Sequence, residues 1–346
     1  MNAPTCNPLP RWRGFNLLEK FSAALPSKTA PDSNRNVPFS EDDFRWIVDW
    51  GFDFARLPMS YHCWSAPDRW MEMDEPVLEH VDQAIVMGQR HGIHVCLNLH
   101  RAPGYCVNPP PEPRNLWRDA DALAAFCHQW QTFARRYRGI DNQELSFDLV
   151  NEPPEPSEER GLSRADHERV VRAAVAAIRA ADPERLVIID GLSYGTEPVP
   201  EVTDLGIAQS CRGYEPFGIS HYRAEWAGWT DWTTVPSPSW PGGWHFGQQW
   251  TRRDLEARYQ RWQDLAAKGI GVHCGECGCY KYTPHAVFLA WFRDLLEILT
   301  AHDIGYALWN FRGSFGILDS DREDVAYEDW HGHQLDRKLL DLLQAF

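Results

Sequence analysis

The sequence predicts a TIM (β/α)8 barrel, the α/β fold in which parallel strands alternate with helices. Two observations predict it. Short apolar runs recur at eight places along the chain, and between them lie stretches whose apolar residues are three or four positions apart. Because strands buried in a parallel barrel read as nearly continuous apolar runs, the pattern favours a barrel over an open sheet.

The predicted strands are short, and several follow a glycine that ends a helix. They are "WRGFNL" (12–17), "FDFARL" (52–57), "HVCLNL" (94–99), "LSFDLV" (145–150), "LVIID" (186–190), "FGISHY" (217–222), "IGVHCGE" (270–276) and "GYALWNF" (305–311). The predicted helices begin near residues 41, 77, 121, 164, 251, 283 and 335, whereas the helix pattern near 200–210 is faint.

The 346 residues contain no repeat and no low-complexity linker. Barrels of this class often exceed 250 residues as one unit, so we expect residues 1–346 to form a single catalytic domain. Two long loops follow the third and sixth predicted strands, at 101–119 and 223–250, and the second holds six of the seventeen tryptophans.

The net charge of −15, from 34 basic and 49 acidic residues, disfavours a nucleic-acid partner. No apolar run reaches the length of a membrane span, and the amino terminus lacks the apolar core of a signal peptide. We therefore expect a cytoplasmic protein without a membrane association, although secretion of a processed form stays open. No protein partner is implied.

Polar, charged or aromatic residues follow nearly every predicted strand, at the end where TIM barrels assemble their active sites. They are Asn16 with Glu19, Arg56, His100 with Arg101, Asn151 with Glu152, Asp190, His221 with Tyr222, Glu276, and Trp309 with Asn310 and Arg312. Asn16, Asp190, Asn310 and Arg312 fit equally well as strand-end residues that never contact a substrate.

Glu152 and Glu276 follow the fourth and seventh predicted strands, at the same mouth of the barrel. Hydrolysis of a glycosidic bond needs one protonated carboxyl to assist the leaving group and one ionised carboxylate to meet the positive charge on the sugar. A separation of about 5–5.5 Å would imply retention and roughly 6.5–9.5 Å inversion, and the sequence leaves this open.

Six motifs carry a resemblance to a known family. They are "ARLP" (55–58), "NLH" (98–100), "LVNEP" (149–153), "ISHY" (219–222), "HCGECG" (273–278) and "ALWNF" (307–311). In these motifs and their order, the chain from about residue 12 to its end resembles glycoside hydrolase family 5, which comprises cellulases, mannanases and related β-glycosidases.

The resemblance implies hydrolysis with retention, with Glu152 as acid/base, Glu276 as nucleophile, and no metal or cofactor. It implies that Asn151 binds the sugar 2-hydroxyl. The other implied substrate-binding residues are Arg56 and Tyr222 around the nucleophile, His100 and His221 beside the site, Trp309 as the platform under the sugar, and Glu19 as a hydroxyl-binding acid.

The substrate is less specified, because family members for different sugars share these residues. We expect β-1,4-linked gluco- or manno-oligosaccharides as substrates. The alternatives are an endo-acting glucanase or mannanase on polymer, an exo-β-glucosidase or β-mannosidase, and a non-catalytic sugar-binding protein. The loop tryptophans Trp226, Trp229, Trp232, Trp240 and Trp244 either stack on sugar or form the core of the loop.

The segment "GVHCGECGCY" (271–280) contains three cysteines, a histidine and a glutamate, so a metal site or a redox pair must be considered. A zinc site needs a second closely spaced ligand pair, which none of the remaining cysteines forms. A redox pair belongs at a helix start, whereas Cys274 lies in a predicted strand. We therefore interpret the segment as the strand that carries Glu276, and the roles of Cys277 and Cys279 stay open. The other cysteines are expected to be mostly free thiols.

Overall fold

The computed structural model describes residues 7–21, 36–227 and 231–346, so Cys6 and Trp229 lie outside the described residues. Its strands are β1 (Arg13–Asn16), β2 (Phe54–Ser60), β3 (His94–Ala102), β4 (Tyr105–Cys106), β5 (Leu145–Asp148), β6 (Val187–Asp190), β7 (Ala208–Gly213), β8 (Gly243–His245), β9 (Gln248–Trp250), β10 (Val272–Cys277), β11 (Gly305–Leu308), β12 (Glu328–Trp330) and β13 (His333–Leu335).

The helices are α1 (Glu41–Asp49), α2 (Glu75–His91), α3 (Ala120–Arg136), α4 (Arg164–Ala181), α5 (Leu192–Gly195), α6 (Phe217–Ser220), α7 (Arg252–Ala266), α8 (His285–Ala301) and α9 (Arg337–Gln344). The fold is the predicted TIM (β/α)8 barrel, with β1, β2, β3, β5, β6, β7, β10 and β11 as its strands. Among the described residues, no helix is both long and apolar enough to cross a membrane.

The chain divides into two compact units. The amino-terminal unit, described over residues 18–21 and 36–211, contains parallel pairings of β2 with β3, β3 with β5, β5 with β6, and β6 with β7. The register places Arg56 beside Cys96 and Asn98 beside Asp148. The carboxyl ends of these strands therefore gather charged side chains at one edge.

The carboxyl-terminal unit, described over residues 7–17, 212–227 and 231–346, contains parallel pairings of β1 with β11 and β10 with β11. Two short antiparallel hairpins, β8 with β9 and β12 with β13, lie in its loops. The β10–β11 register is irregular between Cys274 and Cys277. Simple alternation of side chains therefore does not hold along β10 around Glu276. That residues 1–346 form one catalytic domain stays a prediction.

Local signals explain several helix ends. Ser163 and Asp166 form a capping box at the start of α4, each side chain accepting a backbone N–H of the other. Gly92 ends α2 with φ +69°, a left-handed conformation that glycine adopts without a steric penalty. These are the positions at which the sequence specified the boundaries most directly.

The predicted sixth strand, 217–222, is wrong. The strand is β7 at Ala208–Gly213, and residues 217–220 form the short helix α6 after Pro216. The segment "AQSCRG" contains Gln209, Ser210 and Arg212, so it lacks an apolar run, yet every residue in it is buried. A barrel interior can bury polar strand residues that bond to one another, and an apolar pattern does not detect such a strand. The loop after this strand consequently begins at residue 214.

Candidate active site

Arg56 lies at the centre of a buried polar network in the amino-terminal unit. It is 1% exposed, and its Nε donates to Asp148 Oδ2 over 2.9 Å while its Nη2 donates to Asn151 Oδ1 over 2.8 Å. Asp190 Oδ2 lies 3.8 Å from the same Nη2. Two carboxylates thus balance the buried guanidinium. Because a guanidinium only donates, it also determines which side of the Asn151 amide carries the oxygen.

His100 contacts two asparagine amides through one ring nitrogen. Asn151 Nδ2 lies 3.5 Å from His100 Nε2, and Asn108 Nδ2 lies 3.1 Å from the same nitrogen. The ring of Phe21 packs edge-on against His100 at 4.1 Å. The structure therefore brings together Arg56, Asn151 and His100, three residues selected from the sequence.

Glu152 is held through its backbone. Its N–H donates to Asp190 Oδ2 over 2.8 Å, and its carbonyl accepts the hydroxyl of Tyr105 over 2.6 Å. Its φ of +48° is unusual for a residue with a side chain and costs about 1–3 kcal/mol. The hydrogen bonds on both sides of the residue hold this conformation. Glu152 itself is partly exposed.

Glu276 lies near the end of β10 in the carboxyl-terminal unit and is 3% exposed. Arg212 Nη2 lies 3.3 Å from its Oε1, and the Tyr214 hydroxyl lies 3.0 Å from its Oε2. One oxygen of the buried carboxyl group therefore accepts from a guanidinium, and the other accepts from a hydroxyl. Tyr259 donates its hydroxyl to the Arg212 carbonyl over 2.7 Å and supports this residue from behind.

Sequence reasoning missed Arg212 and Tyr214, because it placed the sixth strand too late. A signal was present in "CRGYEP" at 211–216, where Arg212 and Tyr214 are two positions apart. Arg212 lies in β7, and Tyr214 follows Gly213, the last residue of that strand. The sixth strand therefore ends within this segment, before the apolar run that was predicted to form it.

His221 and Tyr222 do not end a strand; they lie in the turn after α6. His221 packs among the rings of Tyr214, Phe217 and Phe315 at 5.1, 5.3 and 5.6 Å, and burial lowers its pKa to about 4. Tyr222 packs edge-on against Trp232 at 6.0 Å. The hydroxyl that donates to Glu276 is that of Tyr214. Tyr214 therefore lies beside the candidate nucleophile, where Tyr222 was expected. Sugar binding by His221 and Tyr222 stays a prediction.

An aromatic wall in the carboxyl-terminal unit includes Tyr214. We use this name for one cluster of side chains that pack together, namely Tyr214, Phe217, Ala224, Ala227, Trp232, Tyr280, Trp309 and Phe315. Trp309, the predicted sugar platform, is partly exposed within it. Because Tyr214 also bonds to Glu276, the wall begins at the candidate nucleophile.

The tryptophans of the loop after β7 have different environments. Trp226 is 38% exposed and packs edge-on against Tyr280 at 4.4 Å, so it extends the aromatic wall to the surface. Trp232 donates its Nε1 proton to the Ala224 carbonyl over 3.2 Å. Trp240 donates to Asp294 on α8 over 2.8 Å, and Trp244 packs on Phe246 at 5.8 Å in the β8–β9 hairpin. These contacts distinguish Trp226 as the exposed member beside the wall.

The remaining strand-end residues have mixed environments. Asn16 is fully buried and donates to the Gly275 carbonyl over 3.0 Å, which joins the ends of β1 and β10. Glu19 is partly exposed after β1. Asn310 is buried, and Arg312 lies over the ring of Phe311 at 5.0 Å. The bond of Asn16 is structural, and hydroxyl binding by Glu19 stays a prediction.

The cysteines near Glu276 are packing residues. Cys277 and Cys279 are fully buried, and their sulfurs donate to the carbonyls of Ala307 and Ile219 at 3.6 and 3.2 Å. Burial raises the pKa of the Cys279 thiol, which keeps it neutral. The eight cysteines in the described ranges are in the thiol form. Over the same ranges, no cluster of three potential ligands could hold a metal ion.

Comparison with known proteins identifies the family. The model of the family Cellulase (glycosyl hydrolase family 5) matches residues 29–314. Endoglucanase C of Acetivibrio thermocellus is 24% identical over 316 residues, covering 84% of this chain and 89% of that protein. Cellodextrinase A of Ruminococcus flavefaciens is 22% identical over 278 residues, covering 76% of each chain.

A crystal structure described as a glycoside hydrolase is 38% identical to this chain. It superposes with a TM-score of 0.88 and covers 97% of this chain and 99% of that one. The similarity thus extends over the whole barrel, including the elements that carry Glu152 and Glu276. The chain therefore belongs to glycosyl hydrolase family 5 and is a glycoside hydrolase.

Proposed function

We propose that the protein hydrolyses β-1,4-linked glucosides or mannosides with retention, with Glu276 as nucleophile and Glu152 as acid/base. The observation that carries the proposal is the environment of Glu276, a buried carboxylate with Arg212 at 3.3 Å and the Tyr214 hydroxyl at 3.0 Å. A carboxylate positioned by these two donors can attack a carbon that becomes positive as its glycosidic bond breaks.

In the first step, the Glu276 carboxylate forms a bond to the anomeric carbon while the bond from that carbon to the leaving oxygen breaks. Glu152 gives its proton to the leaving oxygen. In the second step, Glu152 removes a proton from water as the water oxygen attacks the same carbon and releases Glu276. The partly exposed Glu152 and the buried Glu276 fit these separate roles.

Substitution of the two glutamates tests the mechanism. E276Q should lower kcat/KM by more than the roughly 10²–10⁴-fold expected for loss of general acid–base catalysis in E152Q. D82N is the matched control, because Asp82 also pairs with an arginine, Arg136, but lies on α2 and has no proposed role. Activity of E276Q near the wild-type level would refute the assignment. The anomer first released, observed by NMR, tests retention.

For the substrate, we propose β-1,4-linked gluco- or manno-oligosaccharides. The aromatic wall and the exposed Trp226 support this, because flat aromatic faces suit sugar rings, and two of the relatives are named an endoglucanase and a cellodextrinase. A panel of cello- and manno-oligosaccharides with soluble polymers tests it. Rapid loss of polymer viscosity would favour endo action instead. A cytoplasmic location belongs to the same proposal, and cell fractionation tests it.

A further inference from the structure

The side chain of Arg101, near the end of β3, binds the loop that follows this strand. It is fully buried, and its two terminal nitrogens contact four oxygens. Nη1 donates to Glu112 Oε1 over 2.6 Å and to the Pro110 carbonyl over 2.9 Å, while Nη2 donates to the carbonyls of Asn108 and Pro109 over 2.9 and 3.3 Å. A single planar guanidinium thus determines the path of the chain from residue 108 to residue 112.

Glu112 is held as firmly as its partner. Its side chain is 2% exposed, and its Oε2 accepts the hydroxyl of Tyr61 over 2.6 Å. Trp70 Nε1 donates to the same hydroxyl over 3.1 Å, and His62 Nε2 lies 3.6 Å from Oε1. Burial and the bond to Glu112 raise the pKa of Tyr61, so it remains a neutral donor. The ion pair is therefore anchored to the segment after β2.

The same loop reaches the candidate active site at two points. Asn108, whose carbonyl Arg101 holds, places its Nδ2 3.1 Å from His100 Nε2. Tyr105 lies on β4 and pairs with Ala102 of β3. Its hydroxyl donates to the Glu152 carbonyl over 2.6 Å. The loop consequently supports both the hydrogen-bonding residue His100 and the backbone of the proposed acid/base.

We propose that the Arg101–Glu112 pair is a positioning device for catalysis, which sets Asn108 against His100, the ring that lies beside Asn151. The inference rests on the proposed function. Replacing a buried ion pair with apolar residues is often neutral or stabilising, so stability alone does not account for the pair. Arg101 does not contact substrate in this scheme; it acts through Asn108, and a small displacement of a positioned group can cost about 100-fold in rate.

Arg185 is a matched control for Arg101. It is also buried, pairs with Asp182 over 2.9 Å, and donates to the backbone carbonyls of Leu145, Tyr137 and Ile140. Its side chain contacts Leu145, the first residue of β5, at the opposite end of that strand from the site. R101K and R185K therefore remove similar hydrogen bonds, and both should lower the melting temperature. R101K alone should lower kcat/KM of the folded enzyme, by about tenfold or more.

N108A is the second variant, because it removes no buried charge and leaves the ion pair intact. It should lower kcat/KM in the same direction as R101K. If Arg101 acts through Asn108, the effects of the two substitutions should not add. The double variant R101K/N108A should then have the same kcat/KM as the less active of the two single variants. All values are measured per folded enzyme on one oligosaccharide, with kcat and KM separated.

Two results would overturn the proposal. In the first, R101K keeps a kcat/KM within twofold of the wild type, while its melting temperature falls as far as that of R185K. The Arg101–Glu112 pair would then have only a structural role. The other is multiplication of the losses in the double variant, which would show that Arg101 and Asn108 act independently. Failure of the proposed function is separate, because it would appear as an active E276Q in the wild-type background.

Discussion

The Tyr214 hydroxyl lies 3.0 Å from Oε2 of Glu276, and both groups are buried. We expect Y214F to keep the ring in the aromatic wall and to lose only this hydrogen bond. A hydrogen bond to a charged group contributes about 1.5–3 kcal/mol, so kcat/KM should fall roughly 10- to 100-fold. Steady-state kinetics on an aryl β-glycoside measures this, and Y222F, whose hydroxyl is on the neighbouring turn, is the comparison. A larger loss in Y222F would return the role to Tyr222.

Arg212 balances the charge of Glu276. R212M should remove the cation while keeping much of the side-chain volume, and the buried Glu276 would then lose its contact with the guanidinium. Loss of one partner from a buried pair costs about 3–5 kcal/mol, so the free energy of unfolding should fall by this order. Urea unfolding checks the prediction. The companion variant R212M/E276Q should recover part of the stability, and no recovery would show that the two charges are not coupled.

Trp226 is the exposed tryptophan beside the aromatic wall. W226A should lower kcat/KM on longer oligosaccharides by roughly two- to tenfold, the effect of one aromatic contact worth about 0.5–1.5 kcal/mol. Hydrolysis of a short aryl glycoside should change less. W240A is the matched control from the same loop, because Trp240 is bonded to Asp294 on α8. Equal effects of the two substitutions would argue against sugar stacking by Trp226.

His167 on α4 links stability to pH. It is 1% exposed, it packs against Trp117, and burial lowers its pKa from 6.5 to about 4, with Glu201 opposing and Arg164 adding to the shift. The unfolded chain therefore binds the proton first, and stability falls as the pH drops from about 6.5 to about 4. The difference in pKa corresponds to about 3 kcal/mol.

In H167F the ring no longer titrates, so the free energy of unfolding should vary less with pH over this window than in the wild type. Urea titrations at several pH values give both slopes. Identical slopes would show that His167 is not the group responsible, since the other titrating groups are the same in both proteins.

The buried cysteines predict low reactivity. Cys274, Cys277 and Cys279 are fully buried, so a bulky thiol reagent should not modify them in the folded protein, and activity should survive the treatment. All should react in urea. Peptide mapping after labelling distinguishes the sites, and rapid modification of Cys277 or Cys279 in the active enzyme would contradict the packing assignment.

The sequence predicted strands best where apolar residues recur at every second position of the strand. The third and fourth predicted strands, 94–99 and 145–150, agree with β3 and β5 at their first residues. The sixth failed because β7 buries Gln209, Ser210 and Arg212, and their cost is offset by partners distant in sequence. An example is Gln209, which exchanges hydrogen bonds with the backbone of Val199 at 2.8 and 2.7 Å.

The sequence by itself determined the alternation of strands and helices, the family motifs, and the selection of Glu152 and Glu276, because these depend on local apolar periodicity and on short motifs. Only the tertiary structure decided that Arg212 and Tyr214 bond to Glu276, and that Arg101 holds Asn108 against His100. Hydrogen bonds between side chains depend on ångström distances across strands and loops, and residue spacing along the chain does not specify those distances.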